Sequence, residues 1–206
     1  MPSAGYNDNV FVNCPFDDIY KPLLHVIIYT IYRCGFVPQS ALGEDDGTDN
    51  RLDKIVRIIE NCRYGIHDIS RIELNPAGLP RFNMPFELGI FFGAKKFGNK
   101  VQKNKNALVF ERNKYSYQQF ISDLNGIDTK AHNNDPNTVI RQIRDWLATA
   151  SRRTSIPGPN IIKHDYNQFT VKLPQIIQLA GLDANDIPFN DYCQIVEEAV
   201  RRELEN

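Results

Sequence analysis

At 206 residues the chain has room for one good-sized domain, or one domain with an appendage. Apolar content of 42% and charged content of 24% match a soluble globular protein. A net charge of −1 removes any global electrostatic reason to bind nucleic acid or an anionic membrane, although it leaves room for a local basic pocket.

Residues 1–8 (MPSAGYND) carry neither a basic start nor an apolar run, so no signal peptide is expected. No apolar stretch approaches the roughly 20 residues needed to span a bilayer. The longest, 23–31, is interrupted by His25, Tyr29 and Thr30. Residues 9–14 (NVFVNC) read as a short apolar strand that stops at Pro15. Asp17 and Asp18 open a helix over 19–33, with acids in its first turn and Arg33 in its last, and Gly35 ends it. Residues 36–41 read as a second strand and 42–50 as a loop rich in Gly, Asp and Glu. Thr48 or Asp49 caps a helix over 51–61, whose Leu52, Ile55, Val56, Ile58 and Ile59 follow the helical period. A third strand covers 64–69.

The connection over 70–85 is broken by Pro76, Gly78, Pro80 and Pro85. A helix with Glu87 near its start then runs to about residue 97. A basic polar turn leads to a fourth strand over 107–111, a short helix over 115–124 and a fifth, edge strand over 127–131. Asp135 or Asn137 caps a helix over 138–150 that holds the only tryptophan, Trp146. Alternating strands and helices predict an α/β fold, a parallel sheet with helices on both faces. Five such strands suit a flavodoxin-like order, 2-1-3-4-5. This domain covers 1–150. Residues 151–159 read as a linker, and two helices over 167–182 and 190–204 form a C-terminal helical appendage that packs on the core or makes an oligomer.

Cys14, Cys34, Cys62 and Cys193 lack the close pairs of a zinc site. Without a secretion signal, reduced thiols in a cytoplasm are expected. Cys14 is a candidate nucleophile because it ends a strand; the plainer reading is a small hydrophobe.

In an open parallel sheet, ligands bind beyond the carboxyl ends of the strands, near the point where strand order reverses. Asn13, Phe16 and Asp17 fall there after the first strand, the acidic run 44–46 after the second, and Asp68, Ser70, Arg71, Arg81 and Asn83 after the third. Glu87 follows on an otherwise apolar helix. A carboxylate there costs several kcal/mol to desolvate unless something requires it, although an acid also complements a helix N-terminus. Gly89 and Gly93 are expected to allow close approach of neighbours. Phe16, Phe82 and Phe86 can stack on a base, and carboxylates and amides can bind ribose hydroxyls. A carboxylate beneath a ribose can stabilise an oxocarbenium-like transition state or attack the anomeric carbon, which is the chemistry of N-glycosidic cleavage. Glu87 is therefore the candidate catalytic residue, with Asn13, Phe16, Asp46, Asp68, Ser70, Arg81, Asn83 and Phe86 as candidate substrate-binding residues. Each has a structural reading beside it: Asn13 and Asp68 as caps, residues 44–46 as a solvated loop, Arg81 as an ion-pair partner. His67 reads as a core histidine. No Gly-x-Gly-x-x-Gly follows the first strand, there is no Walker A motif, and no His-x-x-x-His or Glu-x-x-His cluster points to a metal.

Gly47-Thr48 before a helix with Lys54-Ile55, a strand after Cys62, and then Arg81-x-Asn83-x-x-Phe86-Glu87-Leu88-Gly89 with Phe92-Gly93 and Lys96 form a familiar order. It resembles the TIR-like predicted nucleotide-binding proteins, within the wider group of TIR NAD glycohydrolases and nucleoside 2-deoxyribosyltransferases. The resemblance covers about residues 9–150 and is specific mainly over 81–93. It implies that Glu87 is the catalytic acid and that Arg81 and Asn83 match the Arg and Asn preceding it in the family. It further implies NAD or a related nucleotide as substrate rather than cofactor, a homo-oligomer, and a role in bacterial antiphage defence. The first strand ends Val12-Asn13-Cys14-Pro15-Phe16, which looks more like the deoxyribosyltransferase side of the group. The Met84-Pro85 pair fits neither pattern, and the C-terminal helices have no counterpart. Three readings stay open: NAD cleavage, a nucleoside or nucleotide hydrolase or deoxyribosyltransferase with Glu87 as nucleophile, and a non-catalytic nucleotide-sensing module.

Overall fold

The computed structural model describes residues 5–71 and 81–205. The sheet has five parallel strands: β1 (Asn9–Asn13), β2 (Val37–Gln39), β3 (Tyr64–Asp68), β4 (Asn106–Glu111) and β5 (Lys130–Ala131), in the order β2-β1-β3-β4-β5. The flavodoxin-like order expected from the alternation of elements is therefore present. The reversal of strand order lies between β1 and β3.

The helices are α1 (Lys21–Arg33), α2 (Arg51–Glu60), α3 (Asn83–Phe97), α4 (Pro136–Ser151), α5 (Pro159–Leu179) and α6 (Phe189–Glu205). Alternate strand residues face opposite sides of the sheet. Val10, Val12, Tyr64, Ile66, Leu108 and Phe110 join α1, α4, α5 and α6 in one core cluster. Phe11 packs on the other face with Ile55, Ile58 and Ile59 of α2 and with Phe91 of α3. Val109 packs there with Met84 and Leu88 of α3.

The two C-terminal helices bury Ile162, Phe169, Tyr192 and Val196 in the same core as α1, so they pack on the α/β layer. Arg33 at the end of α1 fastens α5 by a 2.9 Å ion pair with Asp165. Among the described residues, no helix is long and apolar enough to cross a membrane.

Several boundaries differ from the sequence reading. No acid lies in the first turn of α1, because Asp17 builds the turn before it, accepting from the Tyr20 backbone N–H at 3.1 Å. The cap of α2 is Asn50, whose side chain accepts from Leu52 N at 2.8 Å, rather than Thr48 or Asp49. The expected helix over 115–124 is two 3-10 turns, Ser116–Gln119 and Ser122–Leu124, and the fifth strand shrinks to two residues. The α5 helix begins at Pro159, inside the stretch read as a linker, and runs through Pro174. Gly89 and Gly93 have open space where a side chain would stand, so neither serves a close approach. Gly65 does: a Cβ there would meet His67 Nε2 at 2.7 Å and the Phe91 ring at 2.8 Å.

Candidate functional site

A cavity of about 480 Å³ opens at the carboxyl end of β1, one of the two strands between which strand order reverses. Asn13 ends β1, and Cys14, Pro15, Phe16 and Asp17 follow it into the loop. Arg81, Phe82, Asn83, Met84 and Glu87 come from the start of α3, and Arg51 from the start of α2. Of the residues expected to bind substrate, the fold therefore gathers Asn13, Phe16, Arg81 and Asn83 around Glu87.

Four others are placed elsewhere. Asp46 is exposed and spends its carboxylate on Thr48, accepting from the backbone N–H at 2.9 Å and the hydroxyl at 2.7 Å. Phe86 does not line the cavity and is 57% exposed, because one residue along a helix turns the side chain by roughly 100° from Glu87. Phe82, one turn earlier, supplies the ring on that side. Asp68 and Ser70 are buried beneath the site. Asp68 accepts from the Tyr20 hydroxyl and, at 2.8 Å, from Ser70 N, and its Oδ2 lies 3.0 Å from His132 Nε2. His132 accepts from Asn134 N on Nδ1, which leaves the ring proton on Nε2, directed to the carboxylate side. Burial alone would raise the Asp68 pKa, but these partners outweigh it and hold the carboxyl below its usual range. Asp68 is thus a staple joining the start of α1, the end of β3 and the loop before α4.

Glu87 is 7% exposed. Burial lifts its pKa to about 7, opposed by the Arg51 guanidinium. Its backbone is held in place from below: Asn13 donates through Nδ2 to the Met84 carbonyl at 2.9 Å and contacts His67 Nδ1 at 3.0 Å through the same nitrogen. His67 is a core residue, kept neutral by burial and by Lys105, with a pKa pushed down to about 3. Its Nδ1 therefore accepts, and Asn13 keeps only its carbonyl oxygen for a ligand. Asp17 accepts from Arg71 at 2.7 Å through Oδ1, while its buried Oδ2 has no hydrogen-bond partner among the described residues and lies 3.6 Å from Arg81 Nη1. Cys14 lines the cavity, but burial, then Asp68, Glu87 and Asp17, push its thiol well up, so it is no thiolate nucleophile. Among the described residues, no group of three or more His, Cys, Asp or Glu side chains could hold a metal ion.

The sequence reading assigned no role to Arg51, Tyr20 or His132. Arg51 did leave a signal: a cation in the first turn of a helix opposes the helix dipole, so something else must favour it there. Tyr20 and His132 left none, because their contacts to Asp68 span 48 and 64 residues of chain. No protein-family model matches the chain, and no curated protein matches its sequence at a significant level.

Proposed function

We propose that this protein cleaves the N-glycosidic bond of NAD or a related nucleotide, in the manner of the TIR-like enzymes its 81–93 segment resembles. The observation that carries the reading is Glu87, a nearly buried carboxyl on the wall of an open cavity, with its pKa lifted to about 7. A strongly perturbed acid in a cleft is a candidate for a working group.

The chemistry asks little more than this carboxylate. The glycosidic nitrogen of NAD is already positive, so nicotinamide departs with the C–N electron pair and needs no proton. Ionised Glu87 offsets the charge that develops on the ribose as that bond breaks, and water then adds to the anomeric carbon and releases a proton. Arg51 favours the ionised form of Glu87. Phe82 and Phe16 offer faces to a planar base, the Asn13 carbonyl oxygen can accept from a ribose hydroxyl, and Arg81 at the mouth can meet a phosphate.

The test is base release from NAD, NADP, nucleosides and deoxynucleoside monophosphates at high protein concentration, for wild type and Glu87→Gln. Release of nicotinamide that vanishes in the variant supports the proposal. Release only from nucleosides or nucleotides moves the assignment to the deoxyribosyltransferase side. Folded wild type that is silent across the panel overturns it.

A further inference from the structure

Phe16 borders two cavities. One is the Glu87 cavity; the other is of about 330 Å³, and Phe16 is the residue that lines both. The second is walled by His25 of α1, Leu42 of the 3-10 turn after β2, and Ile187, Phe189 and Tyr192 at the entry to α6. Part of this wall comes from α6 and the residues that lead into it.

The second cavity holds groups that a planar base can stack on and hydrogen-bond to. The His25 ring stacks on Tyr192 with centroids 3.8 Å apart and planes at 12°. Burial, then Lys21, pushes the His25 pKa down to about 4, so the ring is neutral and offers one donor and one acceptor nitrogen. Among the described residues neither nitrogen has a hydrogen-bond partner. Leu42 and Phe16 add partly exposed apolar surface. The charged groups at this cavity are Asp18, Asp186 and Lys21, and the Lys21 ammonium already donates to the Asn185 carbonyl at 2.9 Å. Two acids against one engaged cation make a poor phosphate site. The exposed guanidinium groups, Arg51 and Arg81, belong instead to the Glu87 cavity.

We infer that the second cavity is a subsite for a neutral purine ring, the second base of a dinucleotide whose first base and ribose occupy the Glu87 cavity, with Phe16 as the partition between the two halves. The choice of a dinucleotide rests on the N-glycosidase reading; the base site itself rests on His25, Tyr192 and Leu42. The two cavities, of about 330 and 480 Å³, each fall within the usual range of ligand sites, about 300–1,000 Å³, so each has room for one base with its ribose.

The probe is AMP, titrated calorimetrically into the full chain as wild type, Glu87→Gln, His25→Ala and Leu42→Trp. Leu42 is 43% exposed, so the larger ring fills the cavity without disturbing the core. A thermal melt of each variant checks that it is folded. AMP should bind wild type and Glu87→Gln alike and bind Leu42→Trp at least about tenfold more weakly, with a smaller loss in His25→Ala. In base-release assays Leu42→Trp should raise KM for NAD more than KM for nicotinamide mononucleotide. The inference is overturned if wild type does not bind AMP, or if Leu42→Trp binds it as tightly as wild type. The two readings fail separately. AMP binding that Leu42→Trp abolishes, in a protein that releases no base, removes the N-glycosidase reading and keeps the subsite; nicotinamide release with a wild-type KM for NAD in Leu42→Trp does the reverse.

Discussion

Asn13, the last residue of β1, donates its side-chain amide to the Met84 carbonyl in the first turn of α3 at 2.9 Å. The bond joins the strand at the switch point to the helix that carries Glu87, across 71 residues of sequence. It fixes the depth of Glu87 in the cavity, and that depth is what lifts its pKa.

Asn13→Ala should therefore act on stability and activity together. The substitution leaves buried His67 Nδ1 without its donor and removes the tie to Met84. A loss of about 1–3 kcal/mol is expected for an orphaned buried acceptor, read as a lower urea midpoint at unchanged m-value. Base release should fall as well, because the start of α3 is no longer anchored.

Glu87 predicts a pH dependence of known sign. Its folded pKa of about 7 lies above the ordinary value near 4.3, so the folded state binds a proton that the unfolded state has released. Stability from this group is full below about pH 4, declines as pH rises to about 7 and is level beyond. Glu87→Gln lacks that decline and should exceed wild type by roughly 3–4 kcal/mol at pH 8, with little difference at pH 4. Denaturant titrations at the two pH values check this. If ionised Glu87 is the working form, kcat/KM of the wild type should climb through about pH 7.

The Asp68 staple predicts the opposite limb. Its carboxyl is held below the usual range, so its contribution is present above about pH 4 and is lost as pH falls through the lower folded value. Tyr20→Phe removes one donor to this buried charge and should cost about 2 kcal/mol at neutral pH. It should also move acid unfolding to higher pH, which a circular-dichroism titration from pH 6 to pH 2 would register.

Gly65→Ala should destabilise by about 1–3 kcal/mol through overpacking. The added methyl meets the Phe91 ring and His67, both fully buried, at distances that require one of them to move. Phe91 sits one turn beyond Glu87 on α3, so a lower Tm should come with weaker base release.

The order of elements was legible because local period reports burial. The short apolar run at Val10, Phe11 and Val12, and the helical spacing of Ile55, Ile58 and Ile59, are written in neighbouring residues, and a parallel sheet follows from the succession of such elements. Glu87 stood out for the same reason, as an acid in an apolar run. The residues 115–124 were not legible, since Tyr117 is buried by the chain around it rather than by a helical stripe.

By itself, then, the sequence indicated most of the strand and helix succession, the carboxyl edge of the sheet as the place to look for a cavity, and Glu87 as an acid lining it. Only the tertiary structure decided that Arg51 and Phe82 line the cavity while Asp46 and Phe86 do not, that Asp68 is a buried staple, and that the C-terminal helices wall a second cavity. The physical reason is range. Period and propensity are properties of adjacent residues, whereas desolvation and the choice of hydrogen-bond partner are set by groups brought together from distant parts of the chain.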